Sequence, residues 1–355
     1  MPKPPALLVS CTKESDADDS GHHPVVQALI LVGGEGTRLR PLTTTVPKPV
    51  LPLANRPFIT YMIEWLATHG FEEVVLSCMF LSAGIKRVLG EDEWDGTRLH
   101  YVEEPEPRGT AGAVKFAEAV LGKRFAVLNG DILTDFDLSA LLRAHEETDA
   151  RATLALIEVD DPSAYGLVLT DADGRVTDFV EKPDRSPPGG AFINAGAYVL
   201  EREVLDPLPD DRAVSFEREV FPSLVGDGLY AYKAKGAWFD IGTPERYLEA
   251  TSYLLERSGE DVLMGSGCEI APGARIGPTA VLGDRCRVEE ALVERAVLFD
   301  GATVERGAVV RDSIVGRGAR IGAGSRLEHE TVVADEALVE AGSVLSGAKV
   351  ERRRG

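Results

Sequence analysis

From Ala28 onward the chain alternates short apolar runs with amphipathic stretches. Ala28–Val32, Glu73–Cys78, Leu99–Val102, Phe125–Asn129, Ala152–Val159, Leu167–Thr170, Val176–Val180 and Ile193–Val199 have strand length and strand character. Residues 58–69 bring Tyr61, Ile63, Trp65 and Leu66 to packing positions, and residues 110–121 offer Val114, Phe116, Val120 and Leu121, so both segments predict helices. A last helix is predicted over residues 244–256, with Pro244 suited to its first turn. Strands that alternate with helices predict a wound α/β sheet, a Rossmann-like domain.

Beyond Val262 the pattern changes to an aliphatic residue about every six positions. Ile270, Ile276, Leu282 and Val288 form one such series, then Leu298, Val304 and Val310, then Val315, Ile321 and Leu327, and finally Val332, Leu338, Val344 and Val350. Gly and Ala crowd the positions between. Each repeat supplies one short strand, three complete a triangular coil, and the stacked aliphatics predict a C-terminal left-handed parallel β-helix of hexapeptide repeats. The expected division is a disordered leader over 1–26, an α/β domain over 27–260 and the β-helix over 261–355. The leader carries Pro, Asp, Ser and the His22-His23 pair without apolar periodicity.

With 58 acidic and 38 basic residues the net charge is −20. Such a field disfavours nucleic acid and acidic membrane surfaces as partners. Cys11, Cys78, Cys268 and Cys286 form no Cys-x-x-Cys pair, which fits reduced thiols in a cytoplasmic protein. No export signal or membrane span is evident from the apolar run Ala6–Val9.

One segment departs from the acidic whole. Directly after the first predicted strand stands Gly33-Gly34-Glu35-Gly36-Thr37-Arg38-Leu39-Arg40-Pro41-Leu42-Thr43, followed by Pro47-Lys48-Pro49. From Gly36 to Ile63 there is no Asp or Glu, while Arg38, Arg40, Lys48 and Arg56 are present. Glycines let backbone N–H groups approach phosphate oxygens, and the cations neutralise them. Neither a Walker A loop nor a dinucleotide fingerprint fits, because the first needs Gly-Lys-Ser/Thr and the second a small residue where Leu39 stands.

These elements resemble the nucleotide-sugar pyrophosphorylases, the sugar-1-phosphate nucleotidyltransferases. Further matching motifs are Gly109-Thr110-Ala111-Gly112, Asn129-Gly130-Asp131, Tyr165-Gly166, Glu181-Lys182-Pro183, Asn194-Ala195-Gly196 and Trp238-Phe239-Asp240-Ile241-Gly242-Thr243-Pro244. Within that family the chain is most similar to the mannose-1-phosphate guanylyltransferase branch, including Ser215-Phe216-Glu217-Arg218-Glu219-Val220-Phe221-Pro222 and the hexapeptide tail. The leader has no counterpart there. The resemblance implies nucleotide binding by Leu31, Gly33, Gly34, Gly36, Thr37, Arg38, Glu104, Gly109, Thr110 and Asp131, and sugar phosphate binding by Gly166, Glu181, Lys182 and Asn194. It further implies in-line attack of the sugar phosphate on the α-phosphorus, with Arg38 on the leaving pyrophosphate and Lys48 at the α-phosphate. Lys182 is the third cation of that set, holding the incoming sugar phosphate.

Asp131 and Asp240 each follow an apolar run, which places them at strand C-terminal ends where ligands of α/β sheets gather. Two such carboxylates suit Mg²⁺, which takes few protein ligands together with phosphate oxygens. Glu104 stands where pyrimidine-using relatives carry Gln, five residues before Gly109. Guanine presents two donors on its pairing edge, which one carboxylate accepts, whereas uracil and thymine present one donor between acceptors. The expected substrates are therefore GTP and mannose 1-phosphate, with glucose-1-phosphate thymidylyl or uridylyl transfer as the alternative and a non-catalytic nucleotide-sugar-binding subunit behind it. Exposed coil faces predict a homo-oligomer assembled through the β-helix.

Overall fold

The computed structural model describes residues 27–352 apart from 35, 45, 80–81, 163–164 and 182–189. The expected leader and Lys182 thus lie outside the described residues. The described chain packs as two compact units, one of residues 27–34 and 61–238 and the other of residues 36–60 and 239–352.

The first unit is built on a ten-stranded mixed sheet. Arg124–Asn129, Gln27–Leu31, Glu73–Cys78 and Thr97–Glu103 lie side by side and parallel; the first three are runs of buried Val, Leu, Ile and Ala, as strands covered on both faces require, whereas Thr97–Glu103 alternates buried Thr97 and Leu99 with exposed Arg98 and His100. Beyond Arg124–Asn129 the sheet turns antiparallel: Ala191–Glu201 pairs with it, and Ala152–Val159 and Gly166–Thr170 pair with Ala191–Glu201. One core gathers Leu29, Val75, Val114, Phe125, Tyr198, Phe216 and Phe221. In the helix Phe58–Thr68, Tyr61, Ile63, Trp65 and Leu66 are all buried, because the helix is enclosed on nearly every side from Phe58 to Leu66.

The helix expected over 110–121 is shorter. It spans Gly109–Phe116 and tightens into the 3-10 turn Glu118–Val120, leaving Phe116 and Val120 exposed rather than packed. The Ala117 N–H bonds the carbonyls of both Ala113 and Val114, which closes the helix there. Phe116 instead lies 4.7 Å beneath the Arg108 guanidinium.

The second unit contains the β-helix. Three ladders of short parallel strands run its length, among them Glu269–Ile270, Arg287–Val288, Thr303–Val304, Arg320–Ile321 and Leu338–Val339. Leu282 pairs with Leu298, Leu298 with Val315 and Val315 with Val333, so one inward aliphatic column stacks through successive coils. In the last series the register differs from the sequence reading at Leu338 and Val344, while Val332 is buried and Val350 packs against the core of the coil. Inward positions continue by sixes from Leu327 to Val333, Val339 and Leu345, and Leu338 and Val344 are 45% and 75% exposed. Val332-Val333, Leu338-Val339 and Val344-Leu345 are all aliphatic pairs, so hydrophobicity alone gives two phases. In the helix Pro244–Ser258, the Thr243 hydroxyl caps the Arg246 N–H, Gly259 ends the helix in the left-handed region, and Tyr247, Ala250, Thr251, Leu254 and Leu255 form the buried face.

Candidate functional site

In the first unit, the C-terminal ends of three of the parallel strands lead into Leu31, Gly33, Gly34, Glu104 and Asp131 of the sequence-predicted residues. Leu31 ends its strand between Ser77 and Asn129, and its carbonyl accepts the Gly130 N–H at 2.9 Å. Gly33 and Gly34 follow it, Asp131 follows Gly130, and Glu104 follows Thr97–Glu103. The Glu104 side chain is buried, and Oε1 accepts a 2.7 Å hydrogen bond from the Ser77 hydroxyl. A Cβ on Gly33 would stand 3.1 Å from the Met79 side chain and 3.9 Å from that same Oε1, so the glycine, Met79 and the carboxylate are close neighbours. Burial pushes the Glu104 carboxyl above the usual carboxylate range, and the Ser77 hydroxyl and the Arg108 backbone N–H pull against it.

Gly109 and Thr110 open the helix Gly109–Phe116, whose first-turn N–H groups have no partners within the helix. The Thr110 hydroxyl is committed elsewhere: it accepts from the Phe216 N–H at 2.9 Å and donates to Glu217 at 2.9 Å. On the antiparallel side Gly166 lies opposite Glu181, and the next residue, Leu167, opposite Ile193, the neighbour of Asn194. Asn194 Oδ1 accepts from the Gly196 N–H and its Nδ2 donates to the Tyr198 hydroxyl at 3.1 Å. The Trp238 indole donates to the Ala195 carbonyl at 2.8 Å and meets Tyr165 edge-on.

In the second unit, Gly36 adopts the left-handed conformation, with φ of 59°, and its carbonyl accepts from the Thr43 hydroxyl at 2.7 Å. A Cβ there would meet Thr43 at 3.0 Å and Lys48 at 3.2 Å, so this glycine lets the turn close on the lysine. Lys48 is buried; Thr37 and Arg38 are exposed. The Arg38 guanidinium lies 3.8 Å from Asp240 Oδ2. Gly242 makes this approach feasible, since a Cβ on it would stand 2.5 Å from Arg38 Nη2 and 2.8 Å from Asp240 Oδ1.

Residues 27–257 match the nucleotidyl transferase family, and residues 258–354 match the GMPPB C-terminal domain. The chain belongs to the nucleotidyl transferase family. Mannose-1-phosphate guanylyltransferase of Mycobacterium tuberculosis is 41% identical over 263 residues, 70% of this chain and 72% of that protein. Mannose-1-phosphate guanyltransferase of Aspergillus fumigatus is 37% identical over 271 residues, 70% and 73% of the two chains. Among solved structures, HddC from Yersinia pseudotuberculosis is 30% identical with a TM-score of 0.57, covering 64% of this chain and 99% of that one. Its complex with GMP-PN matches with a TM-score of 0.56, at the same identity and coverage.

Among the described residues no three His, Cys, Asp or Glu side chains gather into a metal cage. Asp131 and Asp240 offer hard carboxylate oxygens, which suits an ion like Mg²⁺ that completes its shell with phosphate and water. Asp131 belongs to the first unit and Asp240 to the second. Among the described residues no helix is long and apolar enough to cross a membrane.

Sequence reasoning missed Ser77 and gave no role to Tyr198 or Glu217. Ser77 did leave a signal, one hydroxyl inside the otherwise apolar run Val74-Val75-Leu76-Ser77-Cys78. A polar side chain buried in such a run requires a partner.

Proposed function

We propose that this nucleotidyl transferase makes GDP-mannose and pyrophosphate from GTP and mannose 1-phosphate. The observation that carries this reading is the Glu104 carboxylate, buried beside Gly33 at the ends of the parallel strands. Guanine offers that carboxylate two donors, N1–H and the exocyclic amino group. The relatives named for mannose-1-phosphate guanylyl transfer, at 41% and 37% identity, support the same choice of base and sugar.

In this reading an oxygen of mannose 1-phosphate attacks the α-phosphorus of GTP in line. The new P–O bond forms as the bond from the α-phosphorus to the bridging oxygen breaks, and pyrophosphate carries away the electron pair. Such transfer needs alignment and charge neutralisation more than a protein nucleophile. Backbone N–H groups of Gly33, Gly34 and Gly36 and of Gly109 and Thr110 hold the triphosphate, Arg38 stabilises the leaving pyrophosphate, and Lys48 the α-phosphate. Lys182 receives the sugar phosphate, with Gly166, Glu181 and Asn194 at the hexose. Asp131 and Asp240 would hold Mg²⁺, which supplies neutralisation of phosphate charge when bound. Asp240 also sets where the Arg38 guanidinium rests.

The reading includes a cytoplasmic location, domains divided near residue 260 and homo-oligomers assembled through the β-helix. Thymidylyl or uridylyl transfer has less support, because a buried carboxylate opposes the carbonyls that flank the single donor of a pyrimidine. Purified full-length protein, given GTP, mannose 1-phosphate and Mg²⁺, is expected to release pyrophosphate and GDP-mannose in equal amounts. Absence of any GDP-hexose would sink the proposal.

A further inference from the structure

The segment Ser215–Pro222 includes a feature that the transfer chemistry leaves unexplained. Phe216–Val220 is a single π-helical turn, capped by the Ser215 hydroxyl on the Arg218 N–H. π-turns are rare and are found frequently at functional sites. This one carries Glu217. Its Oε2 accepts from the Thr110 hydroxyl at 2.9 Å and from the Ser215 hydroxyl at 2.7 Å, and its Oε1 accepts from the Tyr198 hydroxyl at 3.2 Å. Tyr198 is wholly buried, and its oxygen accepts from Asn194 Nδ2 at 3.1 Å. A continuous chain of hydrogen bonds therefore runs from Thr110 through Glu217 and Tyr198 to Asn194, entirely within the first unit.

Counting donors and acceptors shows what this chain does to Asn194. An amide has two N–H groups and two lone pairs on its oxygen. One N–H goes to Tyr198 and one lone pair to the Gly196 N–H. Among the described residues one donor and one acceptor are left, a pattern that fits hydroxyls of a hexose. Without the phenol oxygen, the bond to Gly196, two residues away, is the one that remains to fix the amide among the described residues.

We propose that Tyr198 and Glu217 form a positioning relay that fixes the Asn194 amide, and hence the hexose it meets, relative to the nucleotide-binding turn at Thr110. The relay rests on the reading of Asn194 as a sugar contact and Thr110 as part of the nucleotide site. It makes sugar discrimination depend on two residues that touch neither substrate. Burial raises the Tyr198 phenol well above its ordinary range, and the Glu217 carboxylate adds to that, so the phenol stays protonated and keeps donating to Glu217.

The test uses full-length wild type, Tyr198→Phe, Glu217→Ala and Glu217→Gln, each assayed with GTP and either mannose 1-phosphate or glucose 1-phosphate. Loss of one buried hydrogen bond corresponds to about three- to tenfold. In Tyr198→Phe the KM for mannose 1-phosphate is expected to rise by about that factor, with the mannose-to-glucose ratio of kcat/KM narrowed, while the KM for GTP stays within about twofold. Glu217→Ala should raise both KM values, since Thr110 also loses its acceptor. Glu217→Gln, which keeps an acceptor oxygen, should fall between wild type and Ala. An unchanged sugar KM and hexose ratio in Tyr198→Phe would overturn the relay, and if that variant does not fold, the same result in Glu217→Ala overturns it. A wild type that makes no GDP-mannose would instead defeat the underlying reading.

Discussion

The Ser77 hydroxyl donates a 2.7 Å hydrogen bond to Glu104 Oε1, with both groups buried where neighbouring parallel strands end. The bond orients the carboxylate and favours its ionised form, against the burial that favours the neutral one. In the guanine reading only the ionised form accepts both donors of the base. kcat/KM for GTP should therefore fall as pH drops through the Glu104 pKa, and the raised pKa puts this acid limb above the usual carboxylate range. Ser77→Ala removes a stabiliser of the ion, so the limb should move to higher pH. Linkage runs in the matching direction: a carboxyl raised by folding contributes stability at low pH that is lost as pH rises through the raised pKa. A pH profile of kcat/KM for both proteins decides the matter, and coincident acid limbs would count against Ser77.

The Arg38–Asp240 pair is half open to solvent, with the Arg38 side chain 62% exposed, so its effect is expected on catalysis rather than stability. Asp240→Asn and Asp131→Asn should each lower kcat by at least ~100-fold, with melting temperatures within a few degrees of wild type. Near-normal turnover at saturating Mg²⁺ would remove the substituted residue from the reaction.

Gly242→Ala adds one methyl group where Arg38 now lies. Since the atoms it would meet are the side-chain ends of Arg38 and Asp240, the expected result is a displaced Arg38–Asp240 pair in an intact fold. kcat should fall by about tenfold or more. Lysine at position 38 should not restore it, because an ammonium cannot reproduce the guanidinium fork. Wild-type kcat in Gly242→Ala would show that the present Arg38 position is not the working one.

The last coils of the β-helix give a stability prediction. Val339 points inward, so Val339→Ala should cost about 1–2.5 kcal/mol from its buried methyl groups and the cavity left behind. Leu338→Ala and Val344→Ala lie on the outside and should stay within about 0.5 kcal/mol. Urea unfolding of the three variants separates the two registers, and the reverse order would restore the phase expected from sequence.

Those coils also show how far the amino-acid sequence carries. Six-residue spacing sufficed for a coil of short parallel strands, because stacked aliphatics allow few other solutions. It could not choose between members of aliphatic pairs such as Leu338-Val339, where backbone register alone decides. Likewise, apolar runs located the strand Ala191–Glu201 but not its antiparallel pairing with Arg124–Asn129, which depends on tertiary contacts. The glycine turn and its nearby cations stood out in the sequence because their pattern is local. Ser77, Tyr198 and Glu217 were not, since the bonds Ser77–Glu104, Tyr198–Glu217 and Thr110–Glu217 join residues 27, 19 and 107 positions apart in the chain.

The central claim is that Glu104 reads guanine, and the direct measurement is kcat/KM for GTP, UTP and dTTP with mannose 1-phosphate, in wild type and Glu104→Gln. Wild type should prefer GTP. Replacing one acceptor oxygen by a donor removes a charge-assisted bond of about 1.5–3 kcal/mol, so the GTP value should fall roughly ten- to a hundredfold. UTP and dTTP should lose little or gain. A GTP preference that survives the substitution unchanged, or a wild type that already favours UTP or dTTP, would contradict the account.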